Sequence, residues 1–401
     1  MKILFSTQAY YPFLEAGGPA TKIRSIASRL GARGHSVSVI TADLGLDRSS
    51  IPLKNLELFS WGERCIEGEV EANYFRSLAQ YRAITLNPDV IGFLGANLQE
   101  FPIAHIYGLY DLFGPATALY CSRRKVPYIL EPMGMMKPIV RNIGLKRFYH
   151  FVLGHGVVQG ARFVIATSEQ EKQEFLELGV PTGRIIVRRN GIEVPENPPE
   201  PGGFRKAWDI SRDAKVVLYL GRITPKKSPD LLIQAFCRWK KAAGTDAPSV
   251  LVIAGPEEDS AYSASLRELA MHLGIYGDVR FTGPIYGQQR WHAYRDADVF
   301  VLPSQNENFG NTVAEAAAVG TPVIVTDQCG IAPYVRNRAG TIISHDVGAL
   351  EGALAKFLAH SGLRERFRDG CQLMTAELDW SGPVSQMEAL YQRSIQEPSI
   401  Q

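Results

Sequence analysis

Short apolar runs recur along the chain, and segments with helical periodicity separate them. In the first half, residues 2–7 and 35–41 are predicted strands, and the amphipathic stretch 21–33 lies between them. The same alternation starts again at residues 216–220 and continues to residues 323–325. Apolar strands that alternate with amphipathic helices are typical of parallel sheets covered by helices on both faces. The sequence therefore predicts the α/β class, with a doubly wound sheet in each half.

A segment rich in proline and glycine, residues 195–203, lies between the two halves. This composition is typical of linkers, because it neither continues a helix nor joins a sheet. A chain of 401 residues is long enough for two domains. We predict a first domain that ends at residue 193 and a second that begins at residue 204. Less regular regions predict a helix near residues 74–82 and an amphipathic helix over 137–152.

The stretch 299–326 carries the strongest chemical pattern. An apolar run ends at Pro303, a loop covers residues 304–310, and an Ala-rich helical segment follows and ends at Gly320. The loop thus joins the carboxyl end of a strand to the amino end of a helix, where unpaired N–H groups favour a phosphate. Gly310 permits the backbone to approach a ligand closely.

Two glutamates flank the start of this helix. Glu307 lies in the loop, and Glu315 lies about one turn into the helix, eight positions later. Carboxylates accept hydrogen bonds from paired hydroxyls, so the two could hold separate parts of one elongated ligand, such as a sugar and a ribose. Glu315 alone has an equally simple explanation, as an acid that favours the helix dipole.

A basic loop follows the first strand of the second half. The apolar run 216–220 leads into a loop that contains Arg222 and Lys227. In a parallel sheet this loop lies on the same edge as Glu307. Arginine can grip phosphate oxygens with two N–H groups, and lysine adds a point charge. Taken alone, a basic loop of this kind is usually only a solvated surface.

Composition narrows the classes of function. A net charge of +2 predicts no broad positive field for nucleic acid. The five cysteines are scattered without zinc or disulfide spacing, which favours reduced thiols and a cytoplasmic protein. No apolar run reaches the length of about 18 residues that a membrane span needs. The dinucleotide fingerprint G-x-G-x-x-G is missing, which counts against a dehydrogenase. We interpret Asp296-Ala-Asp298 as a pair at a helix end rather than a metal site.

The string ENFG at 307–310, followed by EAAAVGTPVI at 315–324, resembles the signature of glycosyltransferase family 4. That family comprises retaining, sugar-nucleotide-dependent enzymes of the GT-B fold. The resemblance implies two doubly wound, Rossmann-like domains that face a cleft. It also implies that a final helix, about 379–401, returns to the first domain (1–193), and that the nucleotide-sugar domain covers 204–378.

In this family the basic loop and the helix start bind the donor's diphosphate, so the resemblance implies a role for each motif. Glu307 and Asn308 would hold sugar hydroxyls, and Glu315 would hold the ribose. The predicted catalytic group is Glu307, Arg222 and Lys227. The predicted donor-binding residues are Gly17, Gly18, Arg222, Lys227, Gly283, Ile285, Glu307, Asn308, Phe309, Gly310, Asn311, Thr312 and Glu315.

The acceptor side matches the family less closely. The family usually shows His-x-His-Gly where this chain has His105 and then Tyr107. Glu131 opens a Pro-x-Gly loop like the one that faces the acceptor in the family. We therefore predict His105, Tyr107 and Glu131 as acceptor-side residues. A second departure is Ser228, which follows Lys227 where the family usually has glycine.

The expected function is that of a retaining hexosyltransferase that needs neither a metal ion nor a cofactor. It would move a hexose from a nucleotide diphosphate sugar to a hydroxyl acceptor, by front-face attack without a protein nucleophile. A UDP-sugar such as UDP-glucose is the favoured donor, and polysaccharide biosynthesis is the favoured role. Three alternatives stay open: a GDP-mannose-dependent mannosyltransferase, a phosphorylase of the same fold, and a nucleotide-sugar-binding protein without catalysis.

The expected partners are the donor and a sugar or lipid-linked sugar acceptor, with no nucleic acid. The stretch 137–152 mixes Lys, Arg, Phe and Tyr. Such a helix can rest on an anionic membrane, which would place the protein at the inner face of the membrane. The alternative is a solvated basic face with its apolar side in the core.

Overall fold

The computed structural model describes residues 1–13, 18–44, 56–81, 84–136, 144, 148–195, 197–242, 244 and 248–397. The chain forms two compact units. Unit 1 contains Met1–Arg189 and Ser381–Gln401, and unit 2 contains Asn190–Trp380.

Unit 1 is built around a mixed sheet. Its strands are β1 (Lys2–Thr7), β2 (Ser36–Ala42), β3 (Leu56–Phe59), β4 (Gly62–Glu67), β5 (Val70–Phe75), β6 (Ala79–Tyr81), β7 (Ile84–Leu86), β8 (Ile103–Tyr107), β9 (Tyr128–Glu131), β10 (Phe163–Ala166) and β11 (Ile185–Val187). Nine of them pair in the order β11-β10-β9-β8-β1-β2-β5-β4-β3, and β6 pairs with β7 in a separate hairpin. All neighbours from β11 to β5 are parallel, whereas β4 runs antiparallel to both β3 and β5.

Helices connect the parallel strands of unit 1. They are α1 (Gly18–Ala32), α2 (Asp89–Asn97), α3 (Phe113–Arg124), α4 (His155–Gly160) and α5 (Glu169–Glu177). In α1, Ile23, Ile26 and Leu30 are fully buried, because this spacing repeats on one helical face. Ser168 caps α5 by accepting a hydrogen bond from the N–H of Glu171 at 3.2 Å, as a capping box requires.

The helix predicted near residues 74–82 is wrong. Strand β5 reaches Phe75, and β6 begins at Ala79. Tyr74 is buried, and its hydroxyl donates to the carbonyl of Tyr11 at 2.5 Å. The backbone of β5 pairs with both β2 and β4, so tertiary pairing overrides the local pattern.

The helix predicted over 137–152 falls mainly on residues 137–143 and 145–147, which lie outside the described residues. Among the described residues of this stretch, 144, 148 and 149 are helical, and residues 150–154 form a π-helical turn that leads into α4. Phe151 in this turn is 86% exposed. No helix among the described ranges combines the length and the apolar character that crossing a bilayer demands.

Unit 2 has a single six-stranded sheet, and all of its strands are parallel. The strands are β12 (Lys215–Leu220), β13 (Ser249–Ala254), β14 (Val279–Gly283), β15 (Val299–Leu302), β16 (Val323–Thr326) and β17 (Gly340–Ile343). Their spatial order is β14-β13-β12-β15-β16-β17. The order reverses between β12 and β15, and ligands of such sheets bind beside this switch point, outside the carboxyl ends of the strands.

Eight helices of unit 2 are described. They are α6 (Gly203–Ala207), α7 (Pro229–Ala242), α8 (Ser260–His272), α9 (Gly287–Asp296), α10 (Asn311–Ala318), α11 (Ala332–Val335), α12 (Val347–Ala359) and α13 (Ser361–Glu377). The last helix of the chain, α14 (Ser381–Gln396), belongs to unit 1. In α14 the buried Tyr391 makes a hydrogen bond of 2.8 Å with Nδ1 of His105 in β8.

Asp296 and Asp298 stabilise the backbone around the start of unit 2. Asp296 is the last residue of α9, and its carboxylate accepts hydrogen bonds from the N–H groups of Gly202, Phe204 and Arg205. Asp298 accepts from the N–H of Val216 and pairs with Arg205 at 3.2 Å. Both acids are therefore engaged with the protein itself. Within the described ranges, no group of three or more His, Cys, Asp or Glu side chains is arranged to hold a metal ion.

Candidate functional site

Two loops of unit 2 meet at the carboxyl edge of its sheet. One loop follows β12 and the other follows β15, and these two strands are direct neighbours. The N–H of Gln305 donates to the carbonyl of Lys226 at 2.9 Å, and the Ser304 hydroxyl donates to the same carbonyl at 3.2 Å. These hydrogen bonds fix the basic loop against the loop that carries the first glutamate. They explain how Lys227 and Glu307, which are 80 positions apart in the sequence, come to lie close together.

Lys227 and Glu307 form an ion pair at this edge. Their side chains are only 14% and 18% exposed. Burial and the positive charges of Arg222 and Lys226 lower the pKa of the Lys227 ammonium. The Glu307 carboxylate opposes that effect, since a negative charge in contact favours the charged form of lysine. The contact with Glu307 therefore offsets part of the effect that burial has on the pKa of Lys227.

Backbone hydrogen bonds fix the position of Glu307. Its N–H donates to the carbonyl of Gln328 at 3.0 Å, and its carbonyl accepts from the N–H of Gly330 at 2.8 Å. Gly310 ends the loop with a φ of +103°, and a Cβ there would meet Cγ2 of Ile331 at 3.0 Å. Only glycine satisfies both conditions easily, so the turn into α10 depends on it.

The helix α10 begins directly after Gly310. Its first-turn N–H groups, at Asn311 and Thr312, belong to the orphan donors of a helix start, which suit an anion. The carbonyl of Phe309 accepts from the N–H of Ile331 at 2.7 Å, and Phe309 itself is buried. The Asn311 side chain accepts a hydrogen bond of 3.0 Å from Asn190. Asn308 is half-buried in the same loop.

Arg222 lies on the same loop as Lys227 but points elsewhere. It is 59% exposed and pairs with Glu258 at 2.9 Å. Of the predicted catalytic group, the structure thus brings Lys227 and Glu307 into contact, while Arg222 is paired with Glu258. An exposed ion pair of this kind contributes little energy, so Arg222 can exchange Glu258 for an anionic ligand at small cost.

Glu315 lies inward from the helix start, and two residues of α9 hold its carboxylate. Arg290 approaches Oε1 at 3.2 Å, and the Tyr294 hydroxyl donates to Oε2 at 2.9 Å. Burial raises the pKa of Glu315, whereas the charge of Arg290 and the Tyr294 hydrogen bond lower it. The sequence analysis missed Arg290 and Tyr294. Their four-residue spacing on one helix is the signal that could have identified them as neighbours on one face.

The remaining predicted donor residues lie at or just after the end of β14 and at the start of α1, and Gly17 lies outside the described residues. Gly283 ends β14 with a φ of +70°, and its carbonyl accepts from the N–H of Gly255 at 2.9 Å. Ile285 is buried two residues later. In unit 1, Gly18 opens α1, and Gly17 lies outside the described residues. The structure thus places Gly283 on the same sheet edge as Lys227. The roles of these residues toward a ligand stay predictions.

The three predicted acceptor-side residues are all buried within unit 1. His105 and Tyr107 stack with ring centroids 3.9 Å apart, and both belong to β8. Burial lowers the pKa of His105 to about 3, so the imidazole is neutral. Its Nδ1 makes the hydrogen bond with Tyr391 described above. In this structure His105 stabilises the contact between β8 and α14, and its role toward an acceptor stays a prediction.

Glu131 lies at the centre of a buried ionic cluster. Lys22 donates to its Oε1, and Arg188 donates to its Oε2 at 2.6 Å. Burial alone would raise the pKa of Glu131, but the charges of Arg188 and Lys22 outweigh it and hold that pKa at about 2. The cluster joins the ends of β9 and β11 to α1, and the sequence analysis did not foresee Lys22 or Arg188 in it.

The chain is similar in sequence to known glycosyltransferases. Residues 203–372 match the family described as glycosyl transferases group 1, and residues 17–191 match the glycosyl transferase 4-like domain. The chain is 31% identical to the D-inositol 3-phosphate glycosyltransferase of Gordonia bronchialis, over 95% of this chain and 85% of that protein.

One further relative and one solved structure are also similar to the chain. D-inositol 3-phosphate glycosyltransferase 2 of Catenulispora acidiphila is 32% identical, but the match covers 60% of this chain and 58% of that protein. The fold is similar to that of HepE from Anabaena, solved with UDP and glucose, with a TM-score of 0.76 at 17% identity over 98% of this chain and 100% of the other. The α/β fold predicted from the sequence is confirmed. The chain belongs to the glycosyltransferases of the GT-B fold.

Proposed function

We propose that the protein is a retaining, metal-independent hexosyltransferase that uses a nucleotide diphosphate sugar and transfers the hexose to a hydroxyl acceptor. The observation that carries the proposal is the Lys227–Glu307 pair beside the start of α10, at the switch point of the unit 2 sheet. This edge presents a positive charge and orphan N–H groups to a diphosphate, and a carboxylate to sugar hydroxyls.

The chemistry follows from where charge develops. The bond between the anomeric carbon and the diphosphate oxygen breaks, and negative charge grows on the departing phosphate. Lys227 and the N–H groups of Asn311 and Thr312 stabilise that charge, and each preorganised donor is worth about 2.7–4 kcal/mol of barrier. Arg222 leaves Glu258 and adds a bidentate contact to the same phosphates. Glu307 then serves two purposes, since it holds both Lys227 and the sugar hydroxyls.

The acceptor hydroxyl attacks the anomeric carbon from the face that the phosphate leaves. A new carbon–oxygen bond forms on that face, and the hydroxyl proton passes to the departing phosphate oxygen. No protein nucleophile takes part in this scheme, and the anomeric configuration is retained. Observation of a stable glycosyl adduct on the protein would contradict it.

UDP-glucose or a similar UDP-sugar is the proposed donor. The support is the fold shared with HepE, which was solved with UDP-glucose. For the acceptor we propose a sugar or lipid-linked sugar in polysaccharide biosynthesis. An inositol phosphate is the second candidate, because the relatives with full-length matches are named for that acceptor.

A peripheral contact with a membrane is proposed together with a lipid-linked acceptor. Phe148, Phe151 and Val152 are 64%, 86% and 52% exposed, beside α4. Exposed apolar side chains grouped in this way favour an interfacial contact. Flotation with anionic vesicles tests it, since Phe151→Ser should weaken binding to the vesicles, and equal flotation of both proteins would contradict the contact.

Thermal stabilisation by nucleotide sugars in the presence of EDTA tests the donor proposal. UDP-glucose, GDP-mannose, UDP and GDP are compared for the wild type and for Lys227→Met, with Glu377→Gln as a control at the distant Arg338–Glu377 pair. We expect one nucleotide sugar to stabilise the wild type and the control, and Lys227→Met to lose the effect. Stabilisation by GDP-mannose alone would replace the donor, and no stabilisation by any compound would contradict a donor site.

Turnover assays distinguish the proposed glycosyltransferase from a phosphorylase and from a binding protein without catalysis. Release of UDP is followed with oligosaccharides and with inositol phosphate as acceptors, and the anomer of the product is read by NMR. A retained configuration is the expected result. Turnover that requires inorganic phosphate would identify a phosphorylase, and donor binding without turnover on any acceptor would favour a binding protein.

A further inference from the structure

Arg290 and Tyr294 lie one turn apart on α9, and both reach the carboxylate of Glu315 on α10. Arg290 is close to Oε1, and Tyr294 donates to Oε2, so each oxygen has one fixed protein partner. A carboxylate oxygen accepts two hydrogen bonds. Each oxygen of Glu315 therefore retains one place for a ligand hydroxyl, and the two places are fixed relative to each other.

The charge of Arg290 also opposes the effect of burial on the pKa of this carboxylate. Burial raises the pKa of Glu315, and the nearby Glu193 raises it further. Arg290 and the Tyr294 hydrogen bond act in the opposite direction. A protonated Glu315 would carry an O–H where the ligand needs an acceptor, so the arginine keeps both oxygens available. Arg290 is only 26% exposed, which limits solvent screening of its charge.

We propose that Arg290 is a positioning residue that holds Glu315 as an oriented, ionised acceptor for the paired ribose hydroxyls, and that it thereby sets the preference for a ribonucleotide. The inference rests on the proposed function, in which Glu315 holds the ribose. It adds a residue of α9 that acts through its ion pair with Glu315. Its effect is therefore confined to the ribose end of the donor.

Paired ligands isolate this effect. Calorimetry measures the dissociation constants of UDP and 2′,3′-dideoxy-UDP for the wild type, Arg290→Met and the control Arg338→Met. The two ligands share the same diphosphate, so their ratio cancels phosphate ionisation. We expect the wild type and Arg338→Met to prefer UDP by about tenfold, equivalent to about 1.4 kcal/mol. Arg290→Met should reduce this ratio to near one, chiefly by weakening UDP binding.

The pH dependence of the same ratio separates positioning from a general loss of stability. Without Arg290, the Glu315 carboxylate protonates at higher pH, so preference for UDP should fall as the pH is lowered from 8 to 6. In the wild type the ratio should change less over this range. Arg290→Gln, which keeps a donor but removes the charge, should show the same pH dependence with part of the preference at pH 8 restored.

Each contrary outcome has its own meaning. An unchanged ratio in Arg290→Met and Arg290→Gln would overturn the inference while the donor site stands. Equal weakening of both ligands would also overturn it, because Arg290 would then act on the fold or the phosphates. If the wild type binds neither ligand, the proposed function itself fails, and the inference fails with it.

Discussion

At the scale of single residues, Lys227 and Glu307 depend on each other. Glu307→Gln removes the carboxylate that pairs with the lysine and that holds the sugar in the proposed function, so we expect kcat to fall about 10²-fold or more. The pKa of Lys227, already lowered by burial, should fall further. Activity of the variant should therefore be lost at lower pH than in the wild type, as the pH rises through that pKa. Steady-state kinetics across pH measures both effects.

The control for this prediction is Glu377→Gln, which removes the partner of Arg338 in an exposed ion pair. Its kcat and pH profile should match those of the wild type. A Glu307→Gln enzyme with unchanged kcat would show that the Lys227–Glu307 pair has a structural role only.

Ser228 provides a second prediction at this scale. It stands where glycosyltransferase family 4 usually has glycine, and its φ is +49°. Its hydroxyl is 2.9 Å from Nε2 of His345. A left-handed residue costs about 1–2 kcal/mol, and the hydrogen bond returns about 1 kcal/mol. Ser228→Gly should thus change the free energy of unfolding little, whereas Ser228→Val should lose about 2 kcal/mol or more. Urea denaturation measures both, and equal stability of the two variants would contradict the backbone argument.

At the scale of elements, the sequence was most informative where a strand ends in a loop. The loops after β12 and β15 could be predicted because an apolar run, a turn residue and a helix follow in order. Their position on one edge could be predicted too, since the carboxyl ends of parallel strands lie at the same edge of the sheet. Arg290 could not, because a charged residue on α9 gives no sign of the helix that it faces. The helix predicted near residues 74–82 was wrong for a similar reason, because the pairing of β5 with β2 and β4 is a long-range property.

Asp296 offers a prediction for the short helix α6. Its carboxylate accepts three backbone N–H groups around residues 202–205. Asp296→Asn replaces a charged acceptor with a neutral one, so the free energy of unfolding should fall by about 1.5–3 kcal/mol. Activity per folded molecule should stay unchanged, with EDTA or with added Mn²⁺. Asp369→Asn, at an exposed position on α13, is the matched control and should change neither quantity.

A metal role for the Asp-x-Asp pair gives the opposite pattern. Asp296→Asn would then lose activity at full stability, and added Mn²⁺ would raise the activity of the wild type above that in EDTA. Denaturation and kinetics on the same preparation distinguish the two explanations.

At the scale of the whole molecule, acid and nucleotide should act on different units. Unit 1 contains His105, whose pKa is lowered from 6.5 to about 3 by burial. The unfolded chain therefore binds a proton below about pH 6.5 that the folded unit does not bind. Above pH 6.5, His105 therefore does not reduce the free energy of unfolding. As the pH falls from 6.5 toward 3, proton binding by the unfolded chain lowers the free energy of unfolding of unit 1. The loss is at most about 1.4 kcal/mol per pH unit.

Glu131 extends this effect to lower pH. Its pKa is depressed from 4.5 to about 2, chiefly by Arg188 and Lys22 acting against burial. It stabilises the folded unit above about pH 4.5, and that contribution disappears as the pH falls toward 2. Unit 2 contains the proposed donor site. Bound UDP at about 100 times its dissociation constant should stabilise that unit by about 2.7 kcal/mol.

Tryptophan fluorescence can follow the two units separately. Trp61 is the single tryptophan of unit 1, and Trp208, Trp239, Trp291 and Trp380 belong to unit 2. Trp61→Phe therefore reports unit 2 alone, and a variant with the other four replaced by Phe reports unit 1.

We expect the unit 1 signal to lose thermal stability between pH 7 and pH 5, with little response to UDP. The unit 2 signal should respond to UDP and much less to this change of pH. His105→Asn in the unit 1 reporter should flatten its pH dependence. Coincident transitions that respond equally to acid and to UDP would instead show that the two units unfold as one cooperative body.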